Sequence, residues 1–201
     1  MKNMETKQQI RTRHLAIRNR MSEQERAALS MQIADALWEQ CERMRQESSE
    51  GLCVVRGYYP HRSEVSLLPF YSRVLKNGIP LAFPGVHGEN MEFYYVESMQ
   101  DFKPGAFGIL EPAESCRICL KDAGICLTPG SVFDLHGNRY GYGKGYYDRY
   151  FLQYPGLCRT GIAYENQLEA DIPVEQTDIR MQYLITEQAW YPVQNRHGTL
   201  S

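Results

Sequence analysis

Apolar residues recur along the chain first at helical spacing and then in short runs separated by polar segments. Residues 5–20 set Ile10, Leu15 and Ile17 among basic side chains with no Gly or Pro, which predicts a basic first helix. Ser22-Glu23-Gln24-Glu25 then reads as a capping box, the serine and the glutamate each satisfying a free amide of a new helix. Leu29, Ile33, Leu37 and Cys41 follow at i, i+4 with Ala34 and Trp38 beside them, so that helix runs to about Met44. Gln46 to Gly51 is a polar connection.

Strands and helices alternate from there. Leu52 to Tyr59 reads as a mostly buried strand closed by Pro60. Val65 to Asn77 reads as a helix with Leu67, Leu68, Tyr71, Val74 and Leu75 apolar, Pro69 in its first turn and Gly78 ending it. Short strands are predicted at Ile79–Phe83, Met91–Val96, Gly124–Thr128, Arg159–Tyr164 and Tyr183–Thr186, with a helix at Tyr146–Gln153. This order implies a single α/β domain over residues 1–201, Rossmann-like, its mainly parallel sheet covered by helices on both faces. No repeat and no Pro-, Gly- or Ser-rich linker divides it.

Composition agrees: 43% hydrophobic and 23% charged residues suit an ordinary globular chain of 201 residues. No apolar run is long enough to span a membrane, and the basic start lacks the apolar stretch of a secretory signal. A cytoplasmic protein without a membrane partner is therefore expected. The net charge of −2 argues against a nucleic-acid partner, but it hides an asymmetry. The first twenty residues carry six Lys or Arg against one Glu, a local +5 that leaves −7 for the remainder. Such a block is either a solvated helix face or part of an anion site. The six cysteines, with no export signal, read as surface or half-buried free thiols, and Cys116-Arg117-Ile118-Cys119 lacks the second pair of a zinc ribbon.

The chemistry concentrates in residues 129–151. Gly137, Gly141, Gly143 and Gly145 fall within nine residues, with Arg139 and Lys144 between them and Asp148 just after. Glycines let successive backbone amides approach phosphate oxygens, and the helix that follows presents its positive end to the same anion. Asp148 is suited to Mg²⁺, which bridges carboxylate and phosphate. Neither a Walker A loop nor the dinucleotide fingerprint fits this spacing. The plain alternative is a tyrosine-rich surface loop whose Asp148 only offsets the helix dipole.

The run GNRYGYGKGYYDR resembles the signature PGxAFDxxGxRLGxGxGYYDR of the 5-formyltetrahydrofolate cyclo-ligase family. Four further stretches resemble that family in order: Lys7-Gln8-Gln9-Ile10-Arg11 with Arg18 beyond it, Tyr58 to Val65 with Glu64, Gly105 to Pro112, and Gly161 to Gln167. The resemblance implies that 5-formyltetrahydrofolate is cyclised to 5,10-methenyltetrahydrofolate with ATP as co-substrate and Mg²⁺ as cofactor. By similarity, ATP would meet Lys7, Arg11 and the loop Arg139, Tyr140, Gly141, Tyr142, Gly143, Lys144, Gly145, Tyr146 and Tyr147, with Arg139 and Lys144 catalytic and the basic helix packed back on the nucleotide site. Folate would meet Tyr59, Glu64, Phe107, Tyr142 and Tyr146, and Asp148 would hold the metal. Glu64 is read as a residue that follows a strand and starts a helix. The implied partners are the reduced folate and ATP alone, in a monomer or small homo-oligomer.

Several positions depart from the family pattern. Val132 replaces alanine, Gly85 stands where many members carry a basic residue, and Thr177 replaces the histidine before Asp178. Gln182 replaces a later aspartate, so any help that residue gives to Mg²⁺ is not carried over. A ligand-sequestering paralogue, or an ATP-dependent enzyme of the same scaffold acting on another formylated or carboxylated amine, stays open.

Overall fold

The computed structural model describes residues 5–47, 54–105 and 108–193. Helix α1 (Lys7–Arg20) starts at a capping box: Thr6 Oγ1 accepts from Gln9 N at 3.3 Å, and Gln9 Oε1 accepts from Thr6 N at 2.8 Å. Helix α2 (Glu23–Glu47) follows with Ser22 Oγ accepting from Glu25 N at 3.1 Å, and it runs past Met44 because no Gly or Pro stops it.

Strand β1 (Val55–Arg56) is much shorter than the predicted run, whose Leu52 and Cys53 lie outside the described residues. Gly57 N still reaches Ala82 O at 2.8 Å, but Tyr58 N turns to the Tyr71 hydroxyl at 3.0 Å and ends the ladder. Helix α3 (Leu68–Lys76) also begins later than the apolar spacing predicts. Pro69 has no N–H to give the Val65 carbonyl, which accepts from the Tyr58 hydroxyl at 2.8 Å instead.

The remaining elements are β2 (Leu81–His87), β3 (Asn90–Val96), β4 (Phe102–Pro104), β5 (Leu110–Pro112), β6 (Ile125–Pro129), β7 (Val132–Asp134), β8 (Arg139–Tyr140), α4 (Tyr146–Gln153), β9 (Cys158–Ile162), β10 (Leu168–Glu169), β11 (Tyr183–Ile185) and β12 (Trp190–Pro192). Seven strands form the main sheet in the order β12-β11-β9-β6-β1-β2-β3. Its inner neighbours pair in parallel, and an antiparallel strand closes each edge. The chain is thus a single α/β domain with a mostly parallel, Rossmann-like sheet. A small sheet β10-β7-β8 and the ribbon β4-β5, too short to leave a periodic pattern, sit beside it.

Strand alternation divides the core between two faces. Val55, Leu81, Phe83, Ile125, Leu127 and Ile162 pack with Ile33 and Leu37 of α2 and with Phe70 and Val74 of α3. Val54, Ala82, Cys126, Ala163 and Leu184 pack with Tyr150 and Phe151 of α4. Each fully buried Leu, Ile or Phe contributes roughly 1.5–3 kcal/mol through removal from water. Arg56 lies inside the second layer at 0% exposure. It donates to the Tyr150 hydroxyl and the Ala123 carbonyl, both at 3.0 Å, to Cys119 Sγ at 3.3 Å and to the Lys121 carbonyl. Cys119 is therefore a buried thiol rather than a surface or half-buried one, while Cys116 is half-buried. Burial pushes the Cys41 and Cys126 thiols up to about 12.

Candidate active site

The carboxyl-terminal ends of β1, β2 and β6 open into a cleft of about 990 Å³, the usual ligand position for an open parallel sheet. Every candidate residue except Phe107 lines it: Lys7, Arg11, Tyr59, Glu64, Arg139, Tyr140, Gly141, Tyr142, Gly143, Lys144, Gly145, Tyr146, Tyr147 and Asp148. Phe107 lies outside the described residues.

The structure splits the glycine run in two. Asp134, fully buried, accepts from His136 N at 3.0 Å and Asn138 N at 2.9 Å through Oδ1, and from Asn138 Nδ2 at 2.8 Å through Oδ2. Gly137 closes that hairpin at φ +81°, with the Met181 carbonyl 2.4 Å from where a Cβ would stand. Gly137 therefore builds the β7–β8 turn and does not line the cleft. Residues 141–145 do line it, with Gly143 and Gly145 at φ +84° and +66°, and Gly145 leads into α4. Lys144 is exposed within this loop.

Tyr140 joins the loop to the first helix. Lys7 Nζ lies 5.3 Å and the Arg11 guanidinium 5.4 Å from the centre of its ring, a cation–π platform for two residues one helical turn apart. Lys7 also pairs with Glu175 at 2.9 Å and Asp178 at 3.0 Å. Arg139 stacks over Tyr147 at 5.3 Å and meets Asp148 Oδ2 at 3.4 Å, and its own Nε is buried without a partner. Asp148 Oδ1 accepts from Ile179 N at 3.1 Å. Asp148 is thus wired to β8 and to the segment after Asp178, which is more than an offset to a helix dipole.

Glu64 does not start a helix. It closes a turn in which its N reaches the His61 carbonyl at 3.2 Å and its Oε2 accepts from His61 N at 2.9 Å. Arg62, inside that turn, has φ +55° and is the one non-glycine at positive φ among the described residues. Glu64 is 7% exposed, and its Oε1 accepts from the Tyr142 hydroxyl at 3.2 Å. Burial raises the Glu64 carboxyl above its usual range, opposed by the His61 amide, the Arg18 charge and the Tyr142 hydroxyl. Tyr59, its ring tilted 59° against that of Phe102 at 5.3 Å, walls the apolar end with Pro84, Val86, Ile109 and Leu110.

Sequence reasoning passed over His61, Arg62, Glu175 and Asp178 as wall residues. Asp178 had a signal, its place in the late family stretch, whereas Glu175 had none. Gln182 does not line the cleft: its Oε1 accepts from Arg159 N at 2.9 Å. Gly85 is likewise outside the wall formed by its neighbours Pro84 and Val86.

A family model described as the 5-formyltetrahydrofolate cyclo-ligase family matches residues 3–187. The chain belongs to the 5-formyltetrahydrofolate cyclo-ligase family. The NMR structure of a 5,10-methenyltetrahydrofolate synthetase from Aquifex aeolicus is 33% identical, covering 94% of this chain and 93% of that one at a TM-score of 0.80. A 5,10-methenyltetrahydrofolate synthetase from Mycoplasma pneumoniae shares the fold at 22% identity and a TM-score of 0.71, covering 91% of this chain and 99% of that one. A probable 5-formyltetrahydrofolate cyclo-ligase from Schizosaccharomyces pombe is 29% identical over 130 residues, 56% of this chain and 64% of the relative. The aligned stretch thus spans just under two thirds of that family member.

Among the described residues no three His, Cys, Asp or Glu side chains form a metal cluster. Mg²⁺ does not need one, because it keeps water and takes one or two carboxylates with substrate phosphates. Asp148, the carboxylate beside the glycine loop and Arg139, fits that requirement. No helix among the described residues is long and apolar enough to cross a membrane.

Proposed function

We propose that the chain catalyses the ATP-dependent cyclisation of 5-formyltetrahydrofolate to 5,10-methenyltetrahydrofolate, releasing ADP and phosphate. One observation carries the reading: a single cleft joins a cationic end, built from Lys7, Arg11, Lys144 and the glycine loop, to an apolar end with the buried carboxyl of Glu64. The basic N-terminal helix packs back on the nucleotide end, which gives its charge a use.

A formamide carbonyl is a poor electrophile and its oxygen a poor leaving group. In the proposed sequence that oxygen attacks the γ-phosphorus of ATP, the bond to the β-phosphate oxygen breaks, and ADP leaves. Nitrogen 10 of the folate then attacks the activated carbon and loses its proton, and the carbon–oxygen bond breaks to release phosphate. Phosphoryl transfer of this kind depends on positioning and charge neutralisation. The loop amides and Lys144 hold the phosphates from one side, and Lys7 and Arg11 from the other. Arg139, held by Asp148 and Tyr147, would neutralise charge on the transferred group, and Asp148 would hold Mg²⁺, which would add to that neutralisation. Glu64 and Tyr142 supply polar anchors for the pterin, and Tyr59 and Tyr146 supply aromatic surface.

The test is incubation with 5-formyltetrahydrofolate, Mg²⁺ and ATP while following the methenyl chromophore. An ATP-dependent rise is expected. Folate binding without that rise would leave a sequestering protein and sink the enzyme.

A further inference from the structure

Arg18 lies on the same helix as Lys7 and Arg11 but does not line the cleft. It is 2% exposed, and its guanidinium donates to Ser63 Oγ and to the Gly130 carbonyl, each at 3.0 Å. Ser63 Oγ donates onward to Asn19 Oδ1 at 2.5 Å, so two successive α1 residues grip the one side chain that precedes Glu64. Among the described residues no carboxylate stands within ion-pair distance of Arg18, and no cation within ion-pair distance of Glu64. Buried charges are ordinarily neutralised by a direct partner. Here two of opposite sign lie near each other without meeting, and the Tyr142 hydroxyl that donates to Glu64 is also within reach of Arg18.

That arrangement serves poorly as a brace. An apolar contact would fasten α1 to the sheet without burying a charge. What the guanidinium adds is a fixed fork of donors at a turn whose Arg62 is held in a conformation that L side chains rarely adopt. Its charge also favours the ionised form of Glu64 against burial, alongside the His61 amide and the Tyr142 hydroxyl; the hydroxyls of Tyr58, Tyr71 and Tyr147 feel the same carboxylate.

We infer that Arg18 is a positioning residue for Glu64, holding the 61–64 turn so that the carboxylate meets the folate. One helix thereby serves both substrates, Lys7 and Arg11 the nucleotide and Arg18 the folate. The inference rests on the proposed cyclo-ligase reading.

The experiment compares Arg18→Met, Arg18→Lys and Ser63→Ala with the unaltered chain, following the methenyl chromophore and varying each substrate in turn. Arg18→Met is expected to raise the folate KM about tenfold or more with the ATP KM within about twofold. Ser63→Ala is expected to raise the folate KM severalfold, and Arg18→Lys to fall between the unaltered chain and Arg18→Met. An equal rise in both KM values would overturn the inference, and so would an unchanged folate KM in a folded variant. If Arg18→Met does not fold, Ser63→Ala decides by the same two KM values, because it removes only the hydroxyl that accepts from Arg18 and donates to Asn19 and keeps the guanidinium in place. Failure of the cyclo-ligase reading is distinguishable: the unaltered chain itself would give no ATP-dependent signal.

Discussion

The Tyr142 hydroxyl on the glycine loop donates to Glu64 Oε1 at 3.2 Å, so the loop proposed for ATP and the carboxylate proposed for folate share one hydrogen bond. Burial raises the Glu64 carboxyl, and this hydroxyl is one of the groups that pull it back. Tyr142→Phe removes that pull. The acid limb of kcat/KM for folate is expected to move to higher pH, read from a pH–rate profile; an unmoved limb would show that Glu64 does not govern it.

Glu64 should also leave a mark on stability. Because its carboxyl is raised on folding, the folded chain keeps a proton that the unfolded chain has lost, and stability declines as pH rises through that window. The stability of the unaltered chain relative to Glu64→Gln is expected to fall between acid and neutral pH. Denaturant midpoints at several pH values test this, and a difference that grows with pH contradicts it.

Glu169 behaves in the opposite way. Its carboxylate accepts from His14 Nε2 at 2.7 Å and pairs with Arg13, and the His14 bond, with Arg13 helping, lowers its carboxyl. The stability it contributes is present at neutral pH and lost as pH falls through its lowered value. Glu169→Gln should lower Tm at neutral pH by an amount that vanishes in acid. A Tm difference independent of pH would place the effect in packing.

Asp148→Asn keeps an acceptor for Ile179 N but removes the charge that faces Arg139. The expected cost in stability is about 1 kcal/mol or less. Turnover should fall on the order of a hundredfold, and Mg²⁺ titration should shift. Normal turnover in that variant would leave Asp148 a structural residue.

Lys7 gives two of its three N–H donors to Glu175 and Asp178, whose charges compete with a phosphate for it. Glu175 is the more exposed of the two, so Glu175→Gln removes a competitor at little structural cost. The ATP KM should fall by up to about fivefold with kcat unchanged, and a rise would mean that Glu175 positions Lys7 rather than competing for it.

The sequence made parts of this arrangement legible, each for a physical reason. Helix α4 matched residue for residue, because the glycine run that ends at Gly145 marks its start and Tyr154-Pro155 its end. The two-faced core was visible in the apolar runs, and the resemblance placed Lys7, Arg11 and Glu64 in one site. Periodicity does not reveal a buried charge: Arg18 read only as part of the basic block and of the first resembling stretch, and Arg56 only as one position of a mostly buried strand. The α3 boundary was set by the missing N–H of Pro69 and the competing Tyr58 hydroxyl, which apolar spacing does not encode. Gly137 looked like its neighbours in the run, and only the Asp134 hydrogen bonds separate it from them.

The pairing of Lys7 with Asp178 spans 171 positions. Contacts of such separation form late, since the loop must close before anything repays its entropy. The helix of Lys7 can meet Tyr140 and Ser63 in a chain still emerging from the ribosome, but its pairing with Asp178 waits until residue 178 is made. The pair therefore ties the first helix to the segment before β11 only after residue 178 has been made, and the stretch of cleft wall that the two residues line is among the last to close.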